Sequence, residues 1–307
     1  MLALVASPNA PEKVALREVP ETRPDRSETI VEVRAISVNR GEVNRLATAA
    51  DGWRPGWDIA GVVLSTAADG SGPPQGSRVV GLSNFGGWCE RLAIPASQLA
   101  VIPEGVTFAS ASALPVAGLT ALRTLRLGGL LLDRRVLVTG AAGGVGRFAI
   151  QLGSAAGALV TAVVGRPERG EGLHKLGAAE VIVGIDNAGG RYHLVLEAAG
   201  GSSLGAALGK VETGGLVVTF GNSSKESTTF MTNDFYFQAA SLRGFFLLGD
   251  TQGNPAGIDL GILLSQVASG RLDPQVSLEL PWTEAAHALR ELRERHLPGK
   301  AVLLVGS

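Results

Sequence analysis

Apolar and polar residues alternate through Thr29–Ser37 (Thr-Ile-Val-Glu-Val-Arg-Ala-Ile-Ser), the period-two pattern of a half-buried strand. Leu2–Ala6, Ile59–Ser65, Arg78–Leu82 and Cys89–Ile94 read as further strands of the same kind. Turn chemistry separates them, in Ala68–Gly76 and Asn84–Gly87. Short strands at this spacing predict a small barrel or sandwich. From Ala109 the pattern changes. Ala109–Leu127 has helical periodicity with a break at Pro115, and strands then alternate with helices. Strands are predicted at 136–139, 159–164, 180–183, 194–198, 216–220 and 241–248, with helices at 146–156, 168–176 and 202–210. This alternation predicts a parallel, doubly wound sheet. Ten residues between Val183 and Leu194 are too few for a full helical crossover. The tail holds a helix at 256–269, a strand at 276–280, a helix from Thr283 (a plausible N-cap) to Arg295 and a last strand at 301–305. It is expected to return to the first domain and complete it.

The strand at 136–139 runs into Gly140-Ala-Ala-Gly-Gly-Val-Gly146 and then a helix. Such a turn offers backbone N–H groups and a positive helix end to a pyrophosphate. Ala142, Gly143, Gly144, Val145 and Gly146 are the candidate phosphate cradle. The following strand ends in Gly165-Arg166-Pro-Glu-Arg169. A carboxylate for the ribose 2′-OH is absent from its tip, and the guanidinium forks of Arg166 and Arg169 suit a 2′-phosphate. NADPH is therefore the expected cofactor.

Composition narrows the class. The chain has 307 residues, enough for about two domains. A formal net charge of −1 argues against a nucleic-acid partner. A single cysteine, Cys89, fits a reducing compartment, and no segment is apolar enough for a bilayer span. A cytoplasmic protein without a membrane partner is the expectation.

Taken in order, Val38-Asn39, Pro55-Gly-Trp-Asp-Ile-Ala-Gly61, Gly86-Gly-Trp-Cys-Glu90, Gly118-Leu-Thr120, Ala141–Gly146, Phe220-Gly-Asn-Ser223 and Pro298-Gly-Lys300 resemble the medium-chain dehydrogenase/reductase superfamily. The resemblance is to its zinc-free quinone oxidoreductase (zeta-crystallin-like) branch and covers the whole chain. It implies an α/β protein: a GroES-like β-barrel catalytic domain over 1–112, completed by 257–307, and a doubly wound Rossmann domain over 113–256. It also implies that Asn39, Thr120, Phe220, Gly221, Phe245, Phe246, Leu247 and Lys300 flank the cofactor. The zinc-dependent relatives carry His-Glu where this chain has Trp57-Asp58, and cysteines near Asn39 and Val116. Four scattered histidines and one cysteine offer no usual metal site, so none is expected.

Without a Lewis acid, an acceptor that delocalises the incoming hydride is favoured, a quinone or an enone. Trp53, Trp57 and Trp88 are the expected substrate-cleft walls. The resemblance leads one to look for a proton-donating tyrosine after Asn39, but neither Tyr192 nor Tyr236 falls there. Asn39 and Arg45 remain the catalytic candidates. Enone or enoyl reduction, and cofactor binding without turnover, stay open beside quinone reduction. The apolar strand 241–248, as a sheet edge, together with the resemblance, predicts a homodimer.

Overall fold

The computed structural model describes residues 1–306, which divide into two compact units. The first comprises Met1–Leu119 and Thr251–Ser307, and the second Thr120–Asp250. In chain order the first unit begins with the hairpin β1 (Leu2–Ala6) and β2 (Val14–Glu18). It continues with β3 (Glu28–Val38), α1 (Arg40–Leu46), β4 (Asp58–Ser65), β5 (Arg78–Leu82), β6 (Arg91–Pro95), β7 (Leu99–Val101) and α2 (Phe108–Ser112). The division then falls within α3 (Pro115–Arg126).

The second unit holds β8 (Arg135–Val138), α4 (Gly144–Ala155), β9 (Leu159–Val164), β10 (Glu180–Val183), β11 (Tyr192–Glu197), α5 (Gly201–Gly209), β12 (Val211–Thr219), α6 (Thr232–Tyr236), β13 (Ser241–Gly244) and α7 (Leu247–Asp250). Its sheet is parallel throughout, in the order β10-β9-β8-β11-β12-β13. That order reverses at β8, so a crevice opens beyond the carboxyl ends of β8 and β11. Apolar runs such as Val136-Leu-Val138 and Leu194-Val-Leu196 are buried on both faces, as parallel strands require.

The chain then returns to the first unit with α8 (Ala256–Ala268), β14 (Val276–Pro281), α9 (Ala285–Arg293) and β15 (Lys300–Leu304). β15 lies between β14 and β3, in the sheet order β14-β15-β3-β4-β5-β7. The tail thus completes the first unit's sheet, as expected. The core beneath includes Ile36, Ile59, Trp88, Cys89 and Trp282.

Several local expectations are corrected. The helix at 168–176 is two 3-10 turns, Pro167–Gly170 and His174–Leu176, broken by Gly172 and Gly177 at positive φ. The strand at 241–248 stops at Gly244, and Leu247 turns inward to start α7. Thr283 is no N-cap: a 3-10 turn spans Trp282–Glu284 and α9 follows it. The short Val183–Tyr192 connection is a single 3-10 turn, Ile185–Asn187, as its length demanded. No helix is long and apolar enough to cross a membrane among the described residues.

Candidate active site

In the second unit the expected cofactor residues gather at one end of the sheet. The loops that leave the carboxyl ends of β8, β9, β12 and β13 hold 142–146, 165–169, 220–221 and 245–247 respectively. Gly143 caps α4 with extended backbone and no side-chain bond, leaving the helix N–H groups to a ligand. Gly146 is required by packing: a Cβ there would stand 2.6 Å from the Ala141 backbone. Arg166 is exposed at the tip of β9, and Arg169 lies in the turn behind it. Phe245 is tied to β12 through its N–H to Thr219 O (2.9 Å), and Phe246 is exposed. Thr120 is buried.

A residue that the sequence reading missed organises this end. Glu197, at the carboxyl end of β11, is fully buried. Its carboxylate accepts from Thr139 Oγ1 (3.1 Å), Ala199 N (3.0 Å), Gly200 N (3.0 Å) and Ser203 Oγ (3.0 Å). Thr139 Oγ1 in turn accepts from Ala198 N at 2.9 Å. One carboxylate therefore locks the loops after β8 and β11 together, beside the glycine-rich turn. Its visible signal was an acid closing an apolar strand, Tyr-His-Leu-Val-Leu-Glu197.

In the first unit a buried polar cluster forms where β3, α1, β4 and β15 meet. Pairing of Ala301 with Val38 sets Lys300 beside Asn39. The Lys300 ammonium is 3% exposed and donates to Asn39 Oδ1 (2.6 Å), Val38 O (3.3 Å) and Asp58 Oδ2 (3.4 Å). Asn39 Nδ2 donates to Asp58 Oδ2 (2.8 Å), and Val116 N donates to Asp58 Oδ1 (2.8 Å). Glu42 accepts from Asn39 N (2.7 Å) and Trp57 N (2.8 Å). The Asn-x-x-Glu spacing is that of a residue at N3 reaching back to its N-cap. Asn39 is thus held at both ends of its amide and serves as a bracket within this cluster.

Both carboxyls are driven toward their neutral forms. Burial, reinforced by the negative charge of Asp58, pushes Glu42 up to about 8. Burial also raises Asp58, against the pull of Lys300 and its hydrogen bonds. Asp58 and Glu42 are further residues that the sequence reading did not assign to the site.

The three tryptophans part company. Trp88 is 0% exposed and belongs to the core, so it is no cleft wall. Trp53 and Trp57 are partly exposed. The Arg45 guanidinium makes no hydrogen bond among the described residues; it lies over Trp53 and Phe85, at 5.2 and 4.6 Å from the ring centroids.

The Zinc-binding dehydrogenase family profile matches residues 144–260. A chloroplast envelope quinone oxidoreductase homolog of Arabidopsis thaliana is 27% identical over 310 residues, covering 93% of this chain and 92% of that protein. These similarities support the medium-chain dehydrogenase/reductase superfamily. Within it, the similarity runs to the quinone oxidoreductase branch. A Mycobacterium tuberculosis mycocerosic acid synthase-like polyketide synthase is 30% identical over 299 residues, 91% of this chain, but the chain spans only 14% of that synthase. Escherichia coli quinone oxidoreductase complexed with NADPH superposes with a TM-score of 0.85 at 24% identity, covering 99% of each chain. The two units are the superfamily's GroES-like and Rossmann domains.

The donor set does not fit the zinc that the family description names. At the superfamily's ligand positions stand an amide (Asn39), an indole (Trp57), the already bonded Asp58 and a valine (Val116). Cys89 is a neutral thiol, raised to about 11 by burial. Glu291, Glu294 and His296, which lie within reach of one another at the end of α9, are largely exposed. The glycine-rich turn, by contrast, fits a dinucleotide: the N–H groups of 144–146 that open α4 have no partner among the described residues, and no Cβ obstructs the approach at Gly165.

Proposed function

We propose that this protein is an NADPH-dependent, zinc-independent oxidoreductase that reduces a quinone or a similar conjugated carbonyl. One observation supports the cofactor above all: Arg166 stands exposed at the tip of β9, and Arg169 follows it, beside the uncapped start of α4. When bound, the dinucleotide supplies a hydride. The α4 N–H groups hold its pyrophosphate, and the two guanidinium groups receive the 2′-phosphate. Glu197 keeps the surrounding loops in place.

With no metal to polarise an isolated ketone, an acceptor that spreads charge onto its own oxygens is the suitable one. Proton delivery falls to solvent, because Asn39 is bonded to Asp58 and Lys300 and no tyrosine lies on α1. The fold is shared with the CurK enoyl reductase, and enone reduction is the second reading. Measured side by side, NADPH oxidation with a quinone and with an enone separates the two. Arg166→Ala is expected to raise KM for NADPH at least tenfold and to leave KM for NADH within about twofold. Equal effects on both cofactors refute the 2′-phosphate assignment.

The protein is further expected to form a homodimer through β13. This edge strand is exposed along its whole length, with Leu242 on it and Tyr236 and Phe237 exposed just before it. Such an edge invites pairing with a second copy.

A further inference from the structure

Residues 41 and 45 stand one turn apart on the same face of α1. At Gly41 the helix is closed by the indole of Trp57: a Cβ built there would lie 2.5 Å from its Cη2. One turn further, the guanidinium of Arg45 stacks on Trp53 and Phe85, whose rings meet edge to face with centroids 6.0 Å apart. Aromatic rings and a cation therefore follow one another along a single helix face. The indole Nε1 of Trp57 is buried and has no hydrogen-bond partner among the described residues.

Positive charge at this place is unanswered. Arg45 has no ion pair or hydrogen bond among the described residues. Asp51, the nearest acid before Trp53, is held by Arg17 through two bonds of 2.9 Å. Glu42, on the same helix, faces the interior. A second guanidinium, that of Arg54, reaches Gly86 O at 3.4 Å, next to Phe85, and its Nε is buried without a partner.

Stacking occupies the faces of a guanidinium and leaves its in-plane N–H fork for acceptors. An exposed arginine ordinarily loses rotamer freedom when it binds an anion. Here two rings hold it in advance. A fork beside two adjoining aromatic rings matches an anion attached to a flat molecule. A carboxylate meets the in-plane donors while the conjugated skeleton lies along the rings.

We infer that Arg45, resting against Trp53 and Phe85, binds a carboxylate borne by the conjugated acceptor and so sets substrate specificity. This inference rests on the reductase reading above. The preferred acceptor is an anionic quinone or enone, and its neutral counterpart is the poorer substrate.

The test compares a naphthoquinone bearing a carboxymethyl group with the methyl ester of the same compound. The wild-type protein should favour the acid at least tenfold in kcat/KM. Arg45→Met should bring the two within twofold, and Arg45→Lys, which keeps charge but not the planar fork, should fall between. No preference in the wild type, or a preference that survives Arg45→Met, overturns the inference. If the wild type oxidises neither NADPH nor NADH with any acceptor, the reductase reading fails, and binding then tests Arg45 by itself. Quenching of tryptophan fluorescence should show 2-naphthoate binding at least tenfold tighter than 2-naphthamide, with the difference lost in Arg45→Met. Equal binding of the two overturns the assignment.

Discussion

Glu42→Gln isolates the energetic consequence of burying a carboxyl without a cation of its own. In the folded protein Glu42 titrates near 8, against an ordinary value of 4.5. Between those limits the folded state keeps a proton that the unfolded chain releases. Stability therefore falls as pH rises, with a slope approaching 1.4 kcal/mol per pH unit, or about 2–3 kcal/mol between pH 5.5 and 7.5. Glutamine does not titrate. It accepts from only one of the two backbone N–H groups of Asn39 and Trp57 and turns its own NH2 toward the other. That mismatch costs about 1–3 kcal/mol at pH 5.5. The deficit should then close as pH rises and approach zero near pH 7.5. Glu42 and Asp58 act on one another, so the difference reports the proton that this pair holds. All four tryptophans (53, 57, 88 and 282) belong to the first unit, so urea unfolding followed by their fluorescence reads the correct unit. A deficit that stays constant from pH 5.5 to 7.5 would refute the proton on Glu42.

Lys300→Met strips the cation from Asp58 and should cost about 3–5 kcal/mol at pH 8, and less as pH falls and the raised Asp58 takes up a proton; urea midpoints over that range check it. Glu197→Gln turns an amide donor toward loop N–H and hydroxyl groups, so the glycine-rich turn should loosen. Its Kd for NADPH should rise at least tenfold by fluorescence titration, and an unchanged Kd counts against the positioning role. Leu242→Lys places a charge on the exposed β13 edge and should convert a dimer to a monomer in sedimentation at micromolar concentration. A wild-type monomer under those conditions removes the dimer proposal.

Local signals carried much of this architecture. A strand, a glycine-rich turn and a helix lie within about twenty residues at 136–155, so periodicity alone revealed them. The polar cluster was hidden for the opposite reason. Lys300 and Asn39 are 261 positions apart, and only the register of β15 on β3 brings them together. Read locally, Lys300 after Pro298-Gly299 looks like a solvated turn residue. Trp88 misled because an indole among glycines suits a cleft and a core equally, and only tertiary packing decided for the core. The lost helix at 168–176 had helical spacing, but its glycines favour turns.

The position of β15 also has a consequence for the order of synthesis. Among the described strands, the one that fills the interior of the first unit's sheet is made after all the others. Until then β3 lacks its neighbour over 35–38, and Asp58, made 242 residues before Lys300, waits without its cation. The second unit, contiguous from Thr120 to Asp250, is whole well before that. A nascent chain therefore passes through a stage with a finished Rossmann unit and an open N-terminal half. Deletion of β15, Lys300–Leu304, would leave the chain arrested at that stage.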